Sequence, residues 1–209
     1  MKFPTRGLYA ITQTANKSAD TVVEEVAAAL RGGAVVVQYR DKHPDNALDL
    51  ARQLVQLCHR HQVPLLINDD VELALQAGAD GVHLGREDSA IEEARDRLGP
   101  EAIIGCSCYN SVELALAAER QGADYVAFGR FFPSSSKPLA RPADPATLRR
   151  AKQALTVPRV AIGGILPENG AQLLEAGADL LAVIGGLFDS EPEQSARNYQ
   201  ALFSRPCRQ

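Results

Sequence analysis

The chain has 209 residues, 45% hydrophobic and 23% charged, the balance of one ordinary globular core rather than of a disordered or two-domain chain. A net charge of −4 argues against a broad nucleic-acid or anionic-membrane surface but leaves room for one local cationic cleft. No run approaches ~20 apolar residues, the start MKFPTRGLYAIT lacks the apolar stretch of a secretory signal, and Cys58, Cys106, Cys108 and Cys207 show no zinc-ligand spacing, so a reducing cytoplasm is the expected compartment.

Apolar runs suited to strands buried on both faces fall at Gly7–Thr12, Ala34–Arg40, Leu65–Asn68, Gly81–Leu84, Ala102–Ser107, Tyr125–Gly129, Arg159–Gly163 and Leu180–Ile184. Segments of helical periodicity separate them, and one more follows Ser190. Asp20, Asn110-Ser111, Pro145 and Pro167 mark helix starts. A phrase recurs at Gly78-Ala-Asp-Gly-Val-His-Leu-Gly85, Gly122-Ala-Asp-Tyr-Val-Ala-Phe-Gly129 and Gly177-Ala-Asp-Leu-Leu-Ala-Val-Ile184, with a looser copy at Gly33. In each, glycine ends a helix and an apolar strand follows a short turn. Strict alternation implies a parallel sheet with right-handed crossovers. Eight such units in about 200 residues predict an α/β fold, a single-domain (β/α)8 TIM barrel. An open doubly wound sheet fits worse, because no Gly-x-Gly-x-x-Gly follows the first strand.

In such a barrel the chemistry belongs at the C-terminal ends of the strands. The second strand ends Gln38-Tyr39-Arg40-Asp41-Lys42, and alternation turns Gln38, Arg40 and Lys42 to one side. Two cations and an amide facing inward suit an anionic ligand, an internal ion pair with Asp41 being the alternative. Asp69 and Asp88 follow the third and fourth strands, the arrangement that holds Mg2+ on a diphosphate. Asp70 could replace Asp69 as ligand, but helix capping suits it better. Ser107 puts a hydroxyl at the fifth strand end, and Ser134, Ser135, Ser136 and Lys137 follow the sixth. Gly163-Gly164 and Gly185-Gly186 follow the last two strands, where backbone N–H groups can approach a phosphate, although tight turns alone also favour glycine. His59 and His61 fall on the helix before the third strand, away from this rim; His83 reads as a packed core histidine and His43 as a loop residue.

These motifs, in this order, resemble thiamine phosphate synthase. The matching stretches are Gly7-Leu-Tyr-Ala-Ile-Thr12, Gln38-Tyr-Arg-Asp-Lys42, Ile67-Asn-Asp-Asp70, Gly81-Val-His-Leu-Gly85 with Glu87-Asp88, Ile104-Gly-Cys-Ser107, Phe132-Pro-Ser-Ser-Ser-Lys137, Ala161-Ile-Gly-Gly-Ile165 and Gly177-Ala-Asp-Leu-Leu-Ala-Val183. The resemblance implies condensation of a hydroxymethylpyrimidine diphosphate with a thiazole phosphate, releasing pyrophosphate. It implies that Gln38, Tyr39, Arg40, Asp41, Lys42, Asn68, Ser107 and Lys137 bind the diphosphate substrate, with Arg40, Lys42, Ser107 and Lys137 serving the chemistry. Asp69 and Asp88 would hold Mg2+, while Ser134, Ser135 and Ser136 with backbone from Gly164, Ile184 and Gly185 would take the thiazole phosphate. Arg86 stands where glutamine is common and Tyr109 where histidine is; Ser134 and Ser136 replace threonines, and Ile184-Gly185 replaces Val-Ser. The expected partners are these small molecules, with neither nucleic acid nor membrane; homo-oligomerisation is left open. A thiazole tautomerase and a non-catalytic phosphate-ligand sensor are the rival readings. The tautomerase should not need Arg40, Lys42, Asp69 and Asp88 together, and a retired barrel would usually have lost some of these positions, none of which is missing.

Overall fold

The computed structural model describes residues 1–42, 46–85, 91–133 and 142–204. The strands are β1 (Gly7–Ile11), β2 (Ala34–Tyr39), β3 (Leu65–Asn68), β4 (Gly81–Leu84), β5 (Ile103–Tyr109), β6 (Tyr125–Gly129), β7 (Arg159–Ile162) and β8 (Leu180–Val183). Between them run α1 (Ala19–Arg31), α2 (Ala47–Arg60), α3 (Val71–Ala77), α4 (Ile91–Leu98), α5 (Val112–Arg120), α6 (Pro145–Ala154) and α7 (Pro167–Ala176). A short α8 (Gly185–Phe188) and a final α9 (Pro192–Phe203) follow β8. Every strand pair is parallel, and β8 closes on β1, giving the expected (β/α)8 barrel. No helix among the described residues is long and apolar enough to cross a membrane.

Strand alternation divides the apolar side chains into two layers. Tyr9, Val36, Leu66, Ile103, Tyr125 and Val160 belong to the barrel interior. Their neighbours Leu8, Val37, Ile67, Ile104, Val126 and Ala161 pack outward against the helices. The interior is crowded: a Cβ on Gly105 would lie 2.0 Å from the Tyr125 ring, so glycine in β5 is what admits a tyrosine from β6. From below, Phe3 stacks on that ring with centroids 4.0 Å apart.

The recurring Gly-Ala-Asp phrase acquires a physical role at the opposite end from the expected site. Gly78 ends α3 with φ 70°, a left-handed turn that glycine adopts without steric cost. The aspartate two residues later accepts an N–H from the first or second residue of the preceding strand. Asp80 Oδ2 takes Leu65 N at 2.9 Å, Asp124 Oδ2 takes Ile104 N at 2.8 Å and Asp179 Oδ2 takes Arg159 N at 2.8 Å. Three neighbouring strand pairs are thus fastened at their N-terminal ends by one repeated device.

Helix starts follow the expected chemistry with one shift. Asp70, Ser111 and Asp144 cap α3, α5 and α6 through their side chains, and prolines open α6 and α7. The cap of α1 is Ser18, which accepts from Thr21 N; Asp20 instead sits inside the first turn, where a carboxylate faces the positive end of the helix. β5 also runs two residues beyond Ser107, through a register shift against β6.

Candidate active site

The C-terminal ends of the strands surround a cavity of about 260 Å³. Gln38, Arg40, Asn68 and Ser107 line one side, and Gly164, Ile184 and Gly185 the other. These seven expected site residues are therefore brought together from five strand ends. Tyr39, Asp41 and Lys42 line an adjoining groove of about 770 Å³, which shares Arg40, Ile184 and Gly185 with the first cavity. Asp88, Ser134, Ser135, Ser136 and Lys137 lie outside the described residues, as do His43 and Arg86.

Arg40 reaches the cavity with its backbone held by Thr12, the residue after β1. Arg40 N donates to Thr12 Oγ1 at 2.9 Å, and the same hydroxyl donates to Arg40 O at 3.1 Å. Thr12 N adds a bond to Gln38 O at 3.0 Å. Tyr39 takes the alternate face and is buried in the layer between barrel and helices. Burial, then the Asp41 carboxylate, push its phenol up to about 12; the two groups are hydrogen-bonded. Tyr39 therefore restrains Asp41 at the groove rather than presenting its ring to the barrel interior.

Asp69 is exposed at the rim with φ 64°, a left-handed backbone that costs a non-glycine residue of order 1 kcal/mol or more. That turn brings its carboxylate onto Gly85 N at 3.0 Å, with Asn68 Nδ2 at 2.7 Å from the other oxygen. Among the described residues no three His, Cys, Asp or Glu side chains cluster as a metal cage. Magnesium needs none, because one or two carboxylates with phosphate oxygens and waters suffice. A carboxylate oxygen has more than one lone pair, and an exposed rim carboxylate is the kind of oxygen donor such an ion takes. Asp70 turns away to cap α3, donating no ligand to this rim: its Oδ1 accepts Leu73 N at 2.8 Å.

Opposite this polar wall, the β7 and β8 loops approach closely. A Cβ on Gly164, where φ is 62°, would lie 2.2 Å from Pro133 O. A Cβ on Gly186 would lie 2.4 Å from Tyr199 OH, which donates to Ile165 O at 2.9 Å. Backbone packing and conformation thus require glycine here, and the same two turns form the cavity wall.

Several site residues are not singled out by the motifs. His83 faces the barrel interior and lines the cavity, unlike a buried packing histidine; its ring nitrogens meet Tyr125 OH at 2.8 Å and Ser107 Oγ at 2.9 Å. Tyr109, 41% exposed with φ 53°, and Arg130 also line the cavity. Inward alternation in β4 was the available signal for His83. His59 instead bonds Asp80 at the N-terminal end of the strands, away from the cavity as expected. Cys58, Cys106 and Cys108 form no disulfide, and burial, with Asp80, pushes the Cys58 thiol up to about 12.

The thiamine monophosphate synthase profile matches residues 8–187. The chain belongs to the thiamine monophosphate synthase family. Thiamine-phosphate synthase of Nitrosococcus oceani is 53% identical over 193 residues, covering 91% of this chain and 89% of the relative. The Thiobacillus denitrificans protein of the same name is 51% identical, with 95% of each chain covered. Among solved structures, thiamine phosphate pyrophosphorylase from Pyrococcus furiosus superposes with a TM-score of 0.85 at 35% identity, covering 95% of both chains. Family membership therefore extends over the barrel and its whole rim.

Proposed function

We propose that this barrel condenses 4-amino-2-methyl-5-hydroxymethylpyrimidine diphosphate with 4-methyl-5-hydroxyethylthiazole phosphate, giving thiamine phosphate and pyrophosphate. The observation that carries this reading is the convergence of Gln38, Arg40, Asn68 and Ser107 on one cavity wall, facing Gly164, Ile184 and Gly185, in a chain of this family. A polar, cationic wall suits the pyrimidine and its diphosphate. A wall of glycine turns suits a monophosphate held by backbone N–H groups.

Arg40 and Lys42, with Lys137, neutralise charge that grows on the diphosphate as the carbon–oxygen bond breaks. That electron pair leaves with pyrophosphate, and the pyrimidine methylene carbon becomes cationic, stabilised by the ring amino group. The thiazole nitrogen lone pair then forms the new carbon–nitrogen bond. No protein nucleophile is required, so the chain's contribution is orientation and limited access of water. Asp69 and Asp88 would hold Mg2+, which when bound supplies further charge neutralisation on the diphosphate. Ser134, Ser135 and Ser136 would supply hydroxyls to the monophosphate, and the carboxylated thiazole phosphate is an alternative acceptor to test.

Purified protein incubated with both phosphorylated precursors and Mg2+ should yield thiamine phosphate and pyrophosphate in equal amounts. A folded protein that makes neither would overturn the assignment. Conversion of a thiazole carboxylate phosphate alone would favour the tautomerase reading, and saturable binding without turnover the sensor.

A further inference from the structure

Five side chains form an unbroken hydrogen-bonded line across the barrel beneath the cavity. Gln38 Nε2 donates to Tyr9 OH at 2.8 Å, and Tyr9 OH lies 2.8 Å from Tyr125 OH. Tyr125 OH lies 2.8 Å from His83 Nδ1, and His83 Nε2 lies 2.9 Å from Ser107 Oγ. The two tyrosines are 1% and 0% exposed and Gln38 is 2% exposed. Both ends of the line, Gln38 and Ser107, are on the cavity wall.

Proton counting gives this line a direction. A phenol carries one proton, and a buried donor left unbonded is costly. Tyr9 accepts from Gln38, so its own proton goes to Tyr125. Tyr125 then spends its proton on His83 Nδ1, which makes that nitrogen an acceptor. The ring proton therefore sits on Nε2 and is donated to Ser107 Oγ. Ser107 keeps its own hydroxyl proton for the cavity. At the far end, Gln38 spends one amide N–H on Tyr9, which fixes which end of the amide is the nitrogen and so where its carbonyl oxygen is offered as an acceptor. Burial pushes both phenols well above the ordinary range, which keeps both protons in place.

We propose that this relay sets the donor and acceptor polarity of the cavity, with Gln38 as acceptor, Ser107 as donor, and Tyr9, Tyr125 and His83 as positioning residues. The two ends are coupled. Turning the Gln38 amide over would reverse every bond, and Ser107 would spend its proton on His83. One end accepts while the other donates, which matches a heteroaromatic amine carrying an N–H donor beside a ring-nitrogen acceptor. This ligand match rests on the reaction proposed above; the proton order does not.

The proton order is measured on the resting protein. With histidine rings labelled with 15N, the His83 signal is assigned by its loss in His83→Gln. The expected spectrum has the proton on Nε2 and a bare Nδ1; a proton on Nδ1 would overturn the proposal. Tyr125→Phe cuts the relay while keeping the ring that stacks on Phe3. It should release His83 into exchange between tautomers and raise KM for the pyrimidine diphosphate about tenfold, with KM for the thiazole phosphate unchanged. An unaltered His83 spectrum and unaltered KM in that variant would also overturn it. If Tyr125→Phe does not fold, the wild-type spectrum decides. Absence of turnover in the wild-type chain would sink the assigned reaction and leave the relay intact.

Discussion

Thr12 shows how a residue without a charge governs one with a charge. Its hydroxyl both accepts from and donates to the Arg40 backbone, so the inward aim of Arg40 is set from the residue that follows β1. Thr12→Val keeps the shape and removes both bonds. KM for the pyrimidine diphosphate should rise about three- to tenfold, while circular dichroism stays unchanged; an unaltered KM would show that β2 aims Arg40 by itself. Asp69 allows a second test. Asp69→Ala deletes the acceptor of Gly85 N and Asn68 Nδ2. It should raise the Mg2+ concentration needed for half-maximal turnover at least tenfold, and wild-type Mg2+ titration in that variant would remove Asp69 from the metal assignment. At this scale alternation alone pointed to Gln38 and Arg40, because charged or amide groups on an inward face demand a reason. His83 was harder to read. Its partner Tyr125 lies 42 positions away, and nothing local distinguishes an imidazole packed against apolar side chains from one bonded to a phenol.

Strands and helices were largely legible, since each apolar run and each glycine stop is a local signal. The aspartate of the repeat was visible as a pattern but not as a function, because the N–H it accepts belongs to a different strand. Asp179 illustrates the consequence. It takes Arg159 N and pairs with the Arg159 guanidinium at 2.7 Å, both side chains being mostly buried. Asp179→Ala leaves those donors without this carboxylate at the end of the barrel remote from the site. A loss of about 1–3 kcal/mol is expected, read as a melting point lower by about 3–10 °C with kcat unchanged. A drop in kcat would contradict the separation of the two barrel ends. Glu119 joins α5 to the turn before β7 in a similar way. Burial raises its carboxyl, but hydrogen bonds from Thr156 and Val157 to one oxygen outweigh that and hold it below the ordinary value. A depressed folded value stabilises the fold above the unfolded value, and the contribution fades as pH falls through the folded one. Glu119→Gln should therefore flatten part of the acid side of the stability profile and leave the neutral-to-alkaline side parallel to wild type. An acid limb as steep as the wild type's would exclude Glu119 as a contributor.

Over the whole molecule, charge is distributed against the local chemistry. The chain is acidic, at −4, yet Arg40 and Lys42 stand together where the cavity meets the adjoining groove. An acidic body repels a polyanionic substrate at long range, and a few cations at the barrel mouth must overcome this locally. Lys42 is exposed, so salt screens it within about 8 Å at physiological ionic strength. Arg40 is half-buried and is screened less. Raising salt from about 0.05 to about 0.5 M should therefore raise KM for the diphosphate substrate more than for the monophosphate, which meets a wall of backbone rather than side-chain charge. In Lys42→Ala the zero-salt KM should already be higher and its salt slope shallower, because the screened charge has been removed. Equal slopes in wild type and Lys42→Ala would mean that capture depends on the shielded Arg40 alone, and that the groove carrying Lys42 lies off the path of the diphosphate.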